Sequence, residues 1–437
     1  MIFIFYILAA ALIFLSYKSF RGGVSYLNYF KSELAKPCSE FTPFASIIAP
    51  CKGLDEDLDE NLSALFRQDY TNYEVIFVVD DENDDALGVI RDLIKLHNPE
   101  TQKPRTNLNT DKSNEQPALI LSSSASQRLC GENSVSVKLV IAGKASGSSQ
   151  KVENLREAVL HVSNDTKAFV FVDSDVKPDN GWLRNLVAPL KNENVGAATG
   201  YRWFISKKPT FASELRSVWN ASIASALGEN TKSNFCWGGS MAIRRDVFET
   251  LNIREKWRGT LSDDYTVTRV LNEANLSIHF VPQALTPSIE DCSFPKLLEF
   301  TTRQIKITRF YAPKLWLMSF VGSGLFNLVL VWSVLIVIFS RRNDATVCAA
   351  IITLSLVSLF SVGKAFLRLK AIKLVLRDYK PDLNRQYWAQ NTLWVLAQAL
   401  FFYNSLAALL SRRMTWRGIT YDMISPNKTK IIRGKDA

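Results

Sequence analysis

Chemistry in this chain begins where apolar runs stop at acids. Ala168-Phe169-Val170-Phe171-Val172 leads directly into Asp173-Ser174-Asp175, and Pro178 and Gly181 then mark a loop. The Val and Phe content predicts a buried strand, and two carboxylates one residue apart at its end can hold a hard divalent cation, leaving substrate phosphates as the other ligands. A turn whose Asp caps the next helix is the plain alternative for a D-x-D alone. A second apolar run, Tyr73 to Val79, ends in Asp80, Asp81, Glu82, Asn83, Asp84 and Asp85, which suits either a solvated loop or a site. Asp263 and Asp264 precede a helical pattern (Val267, Val270, Leu271); Asp263 reads as that helix's cap, so only one of the pair has to be chemical. The Gly143 to Lys151 loop is rich in Gly and Ser, carries lysines and runs into a helix whose N-terminus could receive phosphate. It does not meet the P-loop pattern. Trp237-Gly238-Gly239 is either a close backbone approach to a ligand or a turn.

The elements that must position these residues alternate. A strand at Ala45 to Pro50, a helix over Leu54 to Gln68 and the strand at Tyr73 to Val79 open a doubly wound sheet, and a third strand is predicted at Val135 to Ile141. The fold class is therefore α/β, with ligands expected outside the carboxyl ends of the strands. The polar stretch 98–118 lacks periodicity and reads as a flexible insertion.

With 437 residues the chain exceeds one ordinary domain, and its formal charge is +10. Basic residues flank apolar segments (Arg341, Arg342, Lys364 to Lys373, Arg412 to Arg417), a distribution that fits an anionic membrane surface and not a nucleic-acid groove. Six cysteines without a C-x-x-C pair and three histidines without an H-E-x-x-H setting argue against structural or catalytic zinc. Met1 to Tyr17 carries no charge and reads as a membrane anchor, and the basic residues after it predict a cytosolic catalytic region. Phe300 to Trp316 mixes basic and apolar residues as an interfacial helix does. Leu315 to Ser340 and Ala345 to Gly363 are good spans. Tyr387 to Ser411 contains Gln390, Asn391, Gln398 and Asn404, so it is a span facing protein or a re-entrant element. Three full crossings there would put the basic tail outside, against the positive-inside rule, and the topology stays open.

Taken together, these residues resemble the membrane-bound glycosyltransferases of the GT-A fold, family 2 type, and most of all ceramide glucosyltransferase and its bacterial relatives. The resemblance covers roughly Ala45 to Arg309. Ala49-Pro50-Cys51-Lys52-Gly53-Leu54-Asp55 is similar to the family's P-x-K-G signature, Asp81 (or, in a second register, Asp80) to its first aspartate motif, and Gln150-Lys151-Val152-x-Asn154-Leu155 to the segment beside the nucleotide. Asp173 and Asp175 correspond to the second aspartate motif and Asp264 to the third. The last motif, (Q/R)-x-x-R-W, falls on Arg303, Lys306 and Ile307, where lysine and isoleucine replace arginine and tryptophan. Thr415-Trp416-Arg417-Gly418 with Tyr421 looks like a tail motif of bacterial members.

The resemblance implies a Rossmann-like, mostly parallel GT-A domain at 43–298, after an anchor (1–20) and a linker (21–42). An interfacial helix (299–316), membrane-embedded helices (317–411) and a basic cytosolic tail (412–437) would come next. It further implies an inverting, metal-dependent enzyme that moves glucose from UDP-glucose onto a membrane lipid such as ceramide. Asp173 and Asp175 would hold Mn or Mg, with Asp81, Lys151, Asn154, Asp173, Arg303 and Lys306 around the nucleotide sugar. No histidine is well placed to take the acceptor's proton, so a carboxylate, Asp264, is the expected base. A processive polysaccharide synthase and a catalytically inactive membrane-associated binding protein are the competing readings.

Overall fold

The computed structural model describes residues 2–97, the backbone of 120–123, and residues 135–340 and 345–432. The expected insertion at 98–118 lies outside them. The described chain forms two compact units. One comprises residues 36–202, 230–289 and 413–437; the other comprises 1–35, 203–229 and 290–412.

The first unit is built on an eight-stranded sheet. Its strands are β1 (Ala45–Pro50), β2 (Tyr73–Val79), β3 (Ile120–Ser123), β4 (Ser136–Ile141), β5 (Ala168–Val172), β6 (Val195–Thr199), β7 (Ser240–Arg244) and β8 (Ser277–Phe280). They lie in the order β3-β4-β2-β1-β5-β7-β6-β8. β4, β2, β1 and β5 are mutually parallel, β3 and β7 run against their neighbours, and β6 pairs in parallel with β8. This is the mostly parallel α/β sheet expected. Every residue of β2 and of β5 is buried, which is why both appear in the sequence as unbroken apolar runs. β7 reads in sequence only as a glycine-rich apolar stretch. It is a true strand pairing Val172 with Ser240, and its register brings Gly238 and Gly239 to the end of β5. Three tail strands, β9 (Arg413–Trp416), β10 (Ile419–Ser425) and β11 (Lys428–Ile432), form an antiparallel sheet in the same unit.

The second unit is helical. The first helix runs Ile2–Leu34, straight through most of the stretch expected as a linker. Tyr26, Leu27, Tyr29 and Phe30 are buried along it, and a Cβ at Gly23 would sit 3.1 Å from the Lys364 side chain. The helix therefore continues because its basic, aromatic half packs against the Ala345–Val375 helix. Pro313 separates the amphipathic helix Phe294–Tyr311 from the apolar helix Pro313–Phe339, since proline has no N–H to continue the helical ladder.

Among the described helices, Ile2–Leu34, Pro313–Phe339 and Ala345–Val375 are long and apolar enough to cross a membrane. The stretch expected as a third C-terminal membrane element breaks into Tyr387–Thr392 and the 17-residue helix Trp394–Leu410. Two of its polar side chains, Gln390 and Asn404, meet partners on other helices. Arg368 donates to Gln390 Oε1 at 3.0 Å, Gln390 Nε2 donates to Ser217 Oγ at 3.1 Å, and Thr302 Oγ1 donates to Asn404 Oδ1 at 2.9 Å. Among the described residues, Pro313–Phe339 and Ala345–Val375 are the candidate crossings between the sheet and the tail, and if both cross, the tail returns to the side of the strands it shares a unit with. In sealed vesicles, a membrane-impermeant thiol reagent should therefore modify the exposed Cys38 and a Lys430→Cys substitution from the same face. Labelling from opposite faces would refute this topology.

Candidate active site

Pro50, Val79, Ile141 and Val172 end the four parallel strands at the same end of the sheet; acids come directly after Val79 and Val172, and Lys52 and Lys144 lie shortly after Pro50 and Ile141. Asp173 Oδ1 lies 2.7 Å from Lys151 Nζ, and Asp173 Oδ2 lies 3.3 Å from Arg202. The Arg202 guanidinium also reaches Asp175 Oδ2 at 2.8 Å and rests over the Trp237 ring at 4.7 Å. Burial raises the cost of charge on Asp175, but Arg202, with Arg417 and Lys151, more than offsets it and holds this carboxyl below the usual carboxylate range. The glycines beside the pair are steric necessities. A Cβ at Gly239 would lie 2.2 Å from the Trp237 ring and 2.7 Å from Asp173 Oδ2, and one at Gly238 would lie 2.1 Å from Asp263 Oδ2.

Lys151 belongs to the helix Gln150–Ala158, which Ser149 caps by accepting from Val152 N–H. Burial disfavours the Lys151 ammonium, yet Asp173, Asp263 and Asp264 together push its pKa above the usual lysine range. The expected cap of the helix Asp263–Glu273 is Asp263. Ser262 fills that position instead, accepting from Tyr265 N–H, because its shorter side chain sits one position earlier, at the turn. Asp263 is buried, 3.5 Å from Lys151, with Oδ2 unpaired. Burial and the neighbouring Asp264 and Asp173 raise its pKa to about 6, against the pull of Lys151. Asp264 is held differently: Ser262 Oγ and Tyr265 N–H (2.7 Å) donate to Oδ1, and Gly238 N–H donates to Oδ2 at 3.3 Å.

The first acidic cluster divides by burial. Asp80 is buried and paired with Lys52 at 2.6 Å, leaving Oδ1 without a partner. Asp81 is more open, paired with Lys144 at 3.0 Å and accepting from Asn83 N–H; that hydrogen bond, together with Lys144, lowers its pKa. A cavity of about 1130 Å³ opens between Asp80 to Asn83 and the Gly143 to Ser148 loop, with Arg156, Arg254 and Arg258 in its wall. Asn154, expected beside the nucleotide, is buried, and its Oδ1 accepts from Gln150 Nε2 at 2.9 Å. Gln150 also ties Gly143 O and Ala145 N–H, so Asn154 steadies the loop from below. Arg303 and Lys306 belong to the other unit, on the helix Phe294–Tyr311, where burial lowers the Lys306 pKa.

Sequence reasoning misses Arg202, whose only local sign is a basic residue after an apolar strand, and assigns no role to Asp55. Asp55 accepts from Ser174 Oγ at 2.6 Å and pairs with Arg417 at 2.7 Å. Among the described residues, no three His, Cys, Asp or Glu side chains gather as a metal cage. Two carboxylates, one with a buried unpaired Oδ1 at Asp175, fit a hard cation that takes its remaining ligands from a phosphate.

Several known proteins are similar to this chain. The sequence profile of glycosyl transferase family 21 matches residues 3–111 and 126–429. Ceramide glucosyltransferase 1 of Caenorhabditis elegans is 40% identical over 55 residues, 13% of this chain and 12% of that protein. Ceramide glucosyltransferase of Komagataella phaffii (strain GS115 / ATCC 20864) is 29% identical over 79 residues, 18% of this chain and 16% of that protein. The chain thus matches less than a fifth of the length of either relative. A mannosyltransferase from Pyrobaculum calidifontis, solved in complex with GDP-Man and Mn2+, aligns over 93% of this chain and 99% of its own at 16% identity, with a TM-score of 0.45.

The raised Asp263 pKa predicts a pH signature. Its stabilising contribution is complete below the ordinary carboxyl pKa, near pH 4, and is lost as pH rises through about 6. Thermal melts of wild type and Asp263→Asn should coincide near pH 4, and the variant should melt at the higher temperature above pH 6. A pH-independent difference would remove the assignment.

Proposed function

The chain belongs to glycosyl transferase family 21, and on that premise we propose that it moves glucose from UDP-glucose onto a membrane lipid such as ceramide, at the cytosolic leaflet and with inversion. The observation that carries the reading is the Asp173–Asp175 pair at the end of β5, gathered with Lys151 and Arg202 beside a second acidic pair. Mn or Mg held by Asp173 and Asp175 would neutralise charge developing on the leaving diphosphate.

The chain's own residues supply the rest. Lys151 and Arg202 provide fixed positive charge at the place where the diphosphate leaves. Asp81, with Lys144, stands at the open cavity as the candidate for seating the nucleotide. Asn154 serves that same loop indirectly, through Gln150. Arg303 and Lys306 are assigned to the diphosphate by family resemblance. Lysine in place of arginine keeps the charge but gives up the bidentate fork.

Transfer to a hydroxyl needs a proton acceptor as the bond forms. Asp264 is assigned that task, with Ser262, Tyr265 and Gly238 fixing its orientation. Asp263, forced against Lys151 by burial, sets the local field. Attack from the face opposite the leaving group gives the inversion.

The test is a lipid extraction after incubating membranes that contain the protein with labelled UDP-glucose and Mn. One new glycolipid is expected, absent with EDTA and in Asp175→Ala. Asp264→Asn should reduce its formation by about 10²–10⁴-fold, the usual scale of general base catalysis, while UDP binding survives. Loss of UDP binding in Asp264→Asn would move that residue to the nucleotide. Label in a polymer would make the protein a processive synthase, and label in neither product would make it a binding protein.

A further inference from the structure

The two-residue loop Arg417-Gly418 joins β9 to β10, with Trp416 paired to Ile419. Both loop residues have positive φ, 48° at Arg417 and 76° at Gly418. Such a hairpin turn favours asparagine, aspartate or glycine at its first position, because a Cβ is crowded in left-handed backbone. Glycine obeys that rule at 418. Arginine at 417 breaks it, so the side chain, and not the turn, has to account for the residue.

The Arg417 guanidinium donates to Lys52 O at 2.7 Å and to Asp55 at 2.7 and 2.9 Å. Asp55 in turn accepts from the Oγ of Ser174 at 2.6 Å, the residue between Asp173 and Asp175. Asn61 Nδ2 donates to Ser174 O at 3.1 Å, so Ser174 is gripped on both sides. The hairpin is itself fixed, since Tyr421 OH accepts from Gln150 N–H at 3.2 Å and Arg269 donates to Asn427 at 2.9 Å. Arg417 also lines a cavity of about 660 Å³ together with Lys52, Lys144, Asp80 and Asp81. All of these residues belong to one unit.

From this chain of contacts we propose that Arg417 is a positioning residue for the donor site, holding the Asp173–Asp175 loop through Asp55 and Ser174 in the form that takes up a nucleoside diphosphate with its cation. The proposal rests on the glycosyl-transfer reading above. A guanidinium is suited to the role because its planar fork grips both carboxylate oxygens and the Lys52 carbonyl at once, whereas an ammonium is a point charge. The tail thereby becomes part of the donor site, although it lies more than a hundred residues beyond the last acid of that site in sequence.

Arg417→Asn is the decisive substitution, since it improves the turn while removing the charge. The full-length protein in lipid nanodiscs would be titrated with UDP in the presence of Mn, melted thermally, and assayed for donor KM and kcat. With the gain at the turn set against the lost Asp55 pair, Arg417→Asn should melt close to the wild-type temperature, weaken UDP binding tenfold or more and raise donor KM by a similar factor. Arg417→Lys should recover part of the loss. Asp55→Asn should weaken binding comparably, and the double variant should be no worse than the poorer single one. Unchanged UDP affinity in Arg417→Asn would overturn the assignment. So would a lowered melting temperature in both Arg417→Asn and Arg417→Gly, which would make the residue structural. A wild type that binds no nucleoside diphosphate would overturn the glycosyl-transfer reading itself, and this one with it.

Discussion

Carboxylates repel, and at the edge of this sheet five of them are crowded together: Asp55, Asp173, Asp175, Asp263 and Asp264. Burial sharpens the repulsion, because charges removed from water interact more strongly and lose their hydration. Three cations that enter from separate parts of the chain offset this repulsion in part. Lys151 comes from a helix N-terminus, Arg202 from the residues after β6, and Arg417 from the tail hairpin. Each reaches a different carboxylate set, and the fit is tight enough that Gly238 and Gly239 cannot carry a side chain. The charge balance is therefore a property of the whole first unit, and the strands and helices can be understood as what delivers each cation to its acid.

The same rule, that a buried polar group needs a partner, shapes the helical unit. Arg368, Gln390, Ser217 and Gln386 form a connected set in which Gln386 Nε2 donates to Phe204 O at 2.9 Å and Trp203 Nε1 donates to Gln386 Oε1 at 3.0 Å. Trp394–Leu410 is apolar enough to look like a span, but Asn404 accepts from Thr302 on a neighbouring helix, and the Gln398 carbonyl accepts from Asn327 on another. Its 17 residues rise about 25 Å at the helical repeat, at the short limit for a bilayer core.

Much of this is legible in the amino-acid order. β1, β2 and β5 announce themselves because burial on both faces demands unbroken apolar residues, and the acids at their ends obey the general placement of ligands in such sheets. β7 is less visible, since five residues of mixed character after two glycines look like a turn until the pairing with β5 is known. Local sequence cannot say which of two adjacent acids is buried, so Asp263 passes as a cap while Ser262 holds that position. The extent of the first helix is hidden by Lys18 and Arg21, which look like the end of an anchor. Tyr26 to Phe30 keep a buried face going beyond them. Arg202 and the role of Asp55 are out of reach, because each depends on contacts made across the sheet and not on any neighbour in sequence.

The tail hairpin carries a consequence for how the protein is made. Arg417 and Tyr421 are translated after the helices Pro313–Phe339, Ala345–Val375 and Trp394–Leu410, yet they close the first unit against Lys52, Asp55 and Gln150. While the nascent chain still lacks those helices, the sheet and its acids are already synthesised, but one of their three counter-ions is not. The constellation can be completed only after those helices have been synthesised. A chain stalled at any of them would carry the acids with Arg417 still missing. The order of the polypeptide thus makes Arg417 the last of the three cations to be available to the acids.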